Sequence, residues 1–168
     1  MTGAEEMPRV ADSGQASGAA EADIRALVHQ GTSGAGHIIR RLFQLRTRMW
    51  QETVPTDLTG PQYTVLGTLY IHGSMDQRTL GGHAGLDKST AAPIVERLRG
   101  RGLLTITRDP ADARRKLLDL TPEGHEIVAR TAPFAAEVDE QLLAALTPDE
   151  REIFSRLTGR VLQAETQR

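Results

Sequence analysis

Residues 108–124 read Arg108-Asp109-Pro110-Ala111-Asp112-Ala113-Arg114-Arg115-Lys116-Leu117-Leu118-Asp119-Leu120-Thr121-Pro122-Glu123-Gly124. The first half is a charged tip between two short runs. Residues 103–108 alternate and are β-branched, and residues 116–120 are apolar, the pattern of a β-hairpin with 109–115 as its turn. So small a hairpin is unstable alone and has to pack on helices. The second half sets an N-cap, Thr121, before Pro122, a residue suited to the first helical position, so a helix opens directly behind the hairpin. That helix carries Ile127, Val128, Phe134, Val138, Leu142 and Leu143. The same signal in Thr147-Pro148-Asp149-Glu150 starts a last helix with Ile153, Phe154, Leu157, Val161 and Leu162 on one side.

Upstream, Asp87 is a good N-cap for a helix whose Ile94, Val95 and Leu98 face inward, leaving Lys88, Arg97 and Arg101 outside, and Gly100 and Gly102 close it. A shorter helix is expected at about residues 76–84. Before it, Thr59 caps a helix with Pro61 in its first turn, followed by Tyr63, Val65, Leu66, Leu69 and Tyr70 and ended by Gly73. From His37, Ile38, Leu42, Leu45 and Met49 recur at helical spacing, Ile39, Phe43 and Trp50 widen the stripe, and the helix stops near Pro55. Residues 21–30 suit a short helix burying Ile24, Leu27 and Val28, whereas residues 1–20 lack periodicity and are expected to be a disordered tail.

This order predicts a mainly α fold: a winged helix-turn-helix over residues 58–121, with a two-stranded β-hairpin wing. Long N- and C-terminal helices, residues 21–54 and 122–168, flank it for dimerisation, all in one domain spanning 21–168.

Composition narrows the function. Among 168 residues there is no cysteine, which excludes disulfide frameworks, Cys-based zinc sites and thiol redox sensing and is in keeping with a cytoplasmic protein. No apolar run reaches the roughly 20 residues that span a bilayer, so no membrane partner is expected. The net charge is −2, yet residues 88–116 carry eight cations against three acids, a net of +5. A compact basic segment in an acidic chain is the footprint of one face meeting phosphate, although a solvated charged face has the same composition. Five scattered histidines show no metal-site spacing, and no nucleophile elbow, phosphate loop or H-E-x-x-H motif is present, so neither an enzyme, a cofactor nor a metal is expected.

The helix after Asp87 suits a major groove about 12 Å wide, which admits one α-helix whose first turns approach base edges. Lys88, Ser89 and Thr90 put a cation and two hydroxyls there, although ordinary capping uses the same residues.

The wing and its sequel resemble the MarR-family signature, a D-x-R wing running into L-T-x-x-G, here Asp112-Ala113-Arg114 and Leu120-Thr121-Pro122-Glu123-Gly124. The resemblance extends over about residues 38–162, through Leu58-Thr59, Gln62-Tyr63 and Gly100-x-Gly102-Leu103-Leu104. It implies that Arg114 reaches a minor groove, held by Asp112, and that Arg115 and Lys116 contact phosphates. Arg97, Arg101 and Arg108 complete the DNA-facing set. Three departures stand out: Pro93 inside the recognition helix, the extra charge of residues 113–116, and the missing cysteine of the peroxide-sensing branch.

The resemblance further implies a ligand-responsive regulator, a repressor in most readings, that binds a pseudo-palindromic double-stranded operator as a homodimer and is released by a small aromatic or phenolic effector. Trp50, Tyr63 and Tyr70, with Arg46 or His37 as the cationic or hydrogen-bonding group, are the candidate effector residues, plain core packing being the alternative for each. The rival readings are a winged-helix module that binds only protein and a metal-responsive regulator.

Overall fold

Capping decides where most of the helices begin. In the computed structural model, which describes residues 13–112 and 114–166, helix α1 spans Ser13–Ser33 and α2 Ala35–Thr53. Helix α3, Gly60–His72, starts in a capping box: the Gln62 amide donates to Thr59 Oγ1, and the Thr59 amide to Gln62 Oε1. Strand β1, Met75–Asp76, runs straight into α4, Gln77–Ala84, whose first amides donate to the Asp76 carboxylate. Asp87 caps α5, Lys88–Gly100. Strands β2, Leu104–Arg108, and β3, Lys116–Leu120, follow, then α6, Pro122–Leu142, and α7, Pro148–Thr166. Thr121 and Thr147 cap these last two as their Thr-Pro signals require.

Two expectations are corrected. The first helix is longer than residues 21–30, because α1 begins at Ser13; of the expected tail, residues 13–20 are helical and 1–12 lie outside the described residues. The sheet has three strands, ordered β1-β3-β2, all antiparallel, where two were expected. Met75 pairs with Leu118 and is buried, but two residues are too few to show an alternating pattern. Pro93 does not break α5, nor Pro133 α6. Both prolines are exposed, as are Ser89 and Ala129 four residues earlier, so the carbonyls that lose a donor face water.

The chain divides into two units, residues 1–44 and 45–168, with the boundary inside α2. In the first, Ile24, Leu27, Val28, Ile38 and Ile39 are exposed. The second holds two apolar clusters. One joins α3, α4, α5, the sheet and the start of α6 through Leu66, Leu69, Leu80, Val95, Leu98, Leu103, Leu118 and Ile127. The other joins Trp50 and Val54 to Ala135 and Val138 of α6. Tyr63 packs against both, and Leu58, though its side chain belongs to the first, gives its carbonyl to Trp50 Nε1 at 2.6 Å. Along α7, Ile153, Leu157, Val161 and Leu162 stay exposed. Among the described residues, no helix is long and apolar enough to cross a membrane.

Candidate nucleic-acid interface and effector site

The start of α5 is held open by its cap. Asp87 Oδ1 accepts from the Ser89 hydroxyl at 2.6 Å and from the Thr90 amide at 2.8 Å, and these bonds, the first above all, hold its carboxyl below the usual carboxylate range. Lys88, Ser89 and Thr90 are all exposed in this first turn, so the expected cation and hydroxyls are presented, with Ser89 also serving the cap. Arg97 is exposed two turns on; its neighbour Arg99 pairs with Glu96 at 2.8 Å.

The wing is shaped by its aspartates. Asp109 Oδ1 accepts from the Ala111 amide, and Asp112 Oδ1 accepts from the backbone amide of Arg114 at 3.0 Å. Asp112 thus supports Arg114 through the main chain, where the resemblance implied a hold on the side chain. The Arg114 guanidinium is exposed and makes no ion pair among the described residues. Arg108 and Lys116 are partners in the β2–β3 register, both exposed at the root of the wing.

Two of the expected phosphate contacts are engaged elsewhere. Arg115 donates to Asp76 at 2.6 Å, with Asp109 3.7 Å away, which ties the wing to the cap of α4. Asp76 accepts from the Thr79 and Arg78 amides and the Thr79 hydroxyl as well. The Thr79 amide first and Arg115 second hold its carboxyl at about 2, and the carboxylate in turn raises Arg115. Arg101, at the C-cap of α5, donates to Asp57 at 2.6 Å.

Of the expected effector residues, Arg46, Trp50 and Tyr63 come together. The Arg46 guanidinium lies 5.6 Å from the Trp50 ring centroid, and the Trp50 and Tyr63 rings are 5.3 Å apart. Asp139 of α6 faces Arg46 at 3.4 Å, and burial first, then the Asp139 charge, pushes the Tyr63 hydroxyl up. Tyr70 is not at this site: it is two turns further along α3, exposed, with its ring 5.3 Å from that of His125. His37 belongs to the unit of residues 1–44, where its Nδ1 lies 3.2 Å from Arg40. Sequence reasoning missed Asp57, Asp76 and Asp139, whose partners lie on distant segments, and Thr131, fully buried on α6 with its hydroxyl unpartnered. Among the described residues no group of three potential metal ligands assembles, although His72 and His83 stack at 4.4 Å.

The MarR family model matches residues 58–116, which hold α3, α4, α5, β2 and the wing tip as far as the first residue of β3. Transcriptional regulator HosA of Escherichia coli O111:H- is 38% identical over 130 residues, 77% of this chain and 96% of that one. The chain belongs to the MarR family. Among solved MarR-like structures, the PcaV transcriptional regulator from Streptomyces coelicolor in complex with its natural ligand is 42% identical. It superposes with a TM-score of 0.74, covering 80% of this chain and 95% of that one. BpsR of Bordetella bronchiseptica, whose DNA binding is regulated by 6-hydroxynicotinic acid, is 32% identical with a TM-score of 0.73, over 77% and 94% of the two chains. As a MarR-family protein, the chain is a DNA-binding transcriptional regulator of winged-helix fold, and the basic segment of residues 88–116 lies within or beside the elements that define that fold.

Proposed function

We propose that this MarR-family protein is a homodimeric repressor that binds a pseudo-palindromic operator and is released by a small aromatic carboxylate. The observation that carries the DNA reading is the pairing of an exposed, capped first turn of α5 with an exposed, unpaired Arg114 on the wing. In that arrangement Lys88, Ser89 and Thr90 meet the major groove and Arg114, on a turn set by Asp112, enters a narrow minor groove. Arg97, Arg108 and Lys116 bind phosphates, while Arg101 and Arg115, committed to Asp57 and Asp76, position the elements that carry the contacts. The exposed apolar faces of α1, the start of α2, and α7 supply surface for a two-fold partner.

The effector reading rests on Arg46 over the Trp50 ring, which in turn packs against Tyr63: a cation beside an aromatic pair receives a carboxylate and stacks its ring. Its counter-charge Asp139 stands 3.4 Å off and is largely exposed, so an arriving carboxylate competes on even terms. The ligand named for BpsR, 6-hydroxynicotinic acid, is a hydroxylated aromatic acid and supports the same class.

Electrophoretic shift and footprinting on the protein's own upstream DNA test this. Protection of two half-sites centred about 34 Å apart is expected. A single half-site bound by a monomer overturns the dimeric reading, and no sequence-specific binding at any salt concentration revives the protein-interaction module. Addition of 6-hydroxynicotinate or 4-hydroxybenzoate should release the shift in the wild type and not in Arg46→Ala.

A further inference from the structure

Between the Arg46–Trp50–Tyr63 cluster and the recognition helix runs a short segment, residues 54–59, anchored at both ends. Val54 is buried in the Trp50 cluster, and Leu58 is buried in the cluster that packs α5. The Leu58 carbonyl receives the Trp50 indole N–H at 2.6 Å in a buried bond. One residue earlier, Asp57 receives Arg101 at 2.6 Å, across 44 residues of sequence. Arg101 is the C-cap residue of α5, its amide bonded to the Arg97 carbonyl, so its backbone cannot move without the end of that helix.

We propose that Asp57 is a positioning residue, and that residues 54–59 with Arg101 form the strut through which an occupant of the Trp50 cluster sets the recognition helix. A ligand that tilts the Trp50 ring displaces the Leu58 carbonyl, because that bond is short and dry. The displaced segment carries Asp57, and the ion pair pulls on the C-cap of α5. The route runs equally in reverse, since coupling between two binding equilibria is reciprocal. The inference rests on the effector and DNA readings above, but its test does not need the effector.

Trp50 is the single tryptophan of the chain, so its emission reports the cluster alone. A duplex selected by the wild-type protein from a random-sequence pool should shift Trp50 emission on binding. Asp57→Ala should abolish that shift, read at a duplex concentration that saturates each variant so that a change in affinity does not mask it. Arg101→Ala should abolish it too, and the double variant should behave like either single one. Unfolding midpoints close to wild type confirm that the exposed Asp57 substitution leaves the fold intact. A wild-type protein whose Trp50 emission ignores the duplex, or an Asp57→Ala variant whose shift equals wild type, overturns the proposal. Calorimetry with 6-hydroxynicotinate and 4-hydroxybenzoate separates the two readings. An operator-induced shift that depends on Asp57, with neither acid binding, leaves the strut standing and removes the aromatic carboxylate. If either acid binds, its weakening of the operator complex should fall to under about twofold in Asp57→Ala, from the fivefold or more usual for coupled sites.

Discussion

Replacing Gly124 by alanine tests why the L-T-x-x-G run ends in glycine. Gly124 is the third residue of α6, and its amide donates to Thr121 Oγ1 at 3.0 Å. The Thr121 hydroxyl donates to the Gly102 carbonyl at 2.7 Å, and its amide to the Leu103 carbonyl at 3.2 Å, so the helix start is pinned to the strand β2 side of the lobe. A Cβ on Gly124 would overlap that same Leu103 oxygen outright, and stand 3.1 Å from its carbon and 3.3 Å from Cδ2 of Leu120. Backbone cannot rotate away as a side chain can, so α6 must lift and weaken the pinning bonds. Overpacking costs about 1–3 kcal/mol, and one or two loosened bonds add about 1 kcal/mol each. Together these give roughly 2–5 kcal/mol, a fall in Tm of about 4–20 °C for a chain of this size. Gly82 is the control: it lies inside α4 with nothing within 4 Å of where a Cβ would stand. Gly82→Ala should stabilise by about 0.5–1 kcal/mol through helix propensity. Urea and thermal unfolding followed by circular dichroism measure both. A Gly124→Ala protein within about 0.5 kcal/mol of wild type would refute the close-approach argument.

Asp76 makes stability depend on acid: unfolded it takes a proton near 3.8, folded only near 2, so between those values the unfolded state binds more protons and falling pH favours unfolding. Asp76→Asn, which can still cap α4, should flatten stability between pH 4 and pH 2 relative to wild type in acid titrations of the unfolding midpoint. Arg114→Ala should lose operator affinity more on A·T-rich than on G·C-rich flanks, and Asp112→Ala should add little to it, as measured by anisotropy on both duplexes; equal losses on the two flanks would exclude a minor-groove role. Thr131→Val replaces a fully buried, unpartnered hydroxyl by a methyl of the same shape and should raise the urea midpoint, by about 1–2 kcal/mol in stability.

The sequence by itself determined the order of elements, because the signals involved are local. A cap, a proline at the first helical turn and an apolar period act over a few residues, and Thr59, Asp87, Thr121 and Thr147 each start the helix they foretell. The wing was legible for the same reason, as was membership of the family, whose model matches the wing tip as far as Lys116 and the helices before it. What tertiary structure alone decided is which charges are spoken for. Arg101 and Arg115 look like Arg97 and Lys116 in the sequence, yet packing brings Asp57 and Asp76 within 2.6 Å of the first two from 44 and 39 residues away. Tyr63 and Tyr70 read alike along one apolar helix, and only the fold sets one against Trp50 and the other against His125. Ion pairs and ring contacts across distant segments leave no period behind, since each depends on where the backbone has already put two side chains; β1 went unseen because its two residues become a strand only when β3 lies beside them.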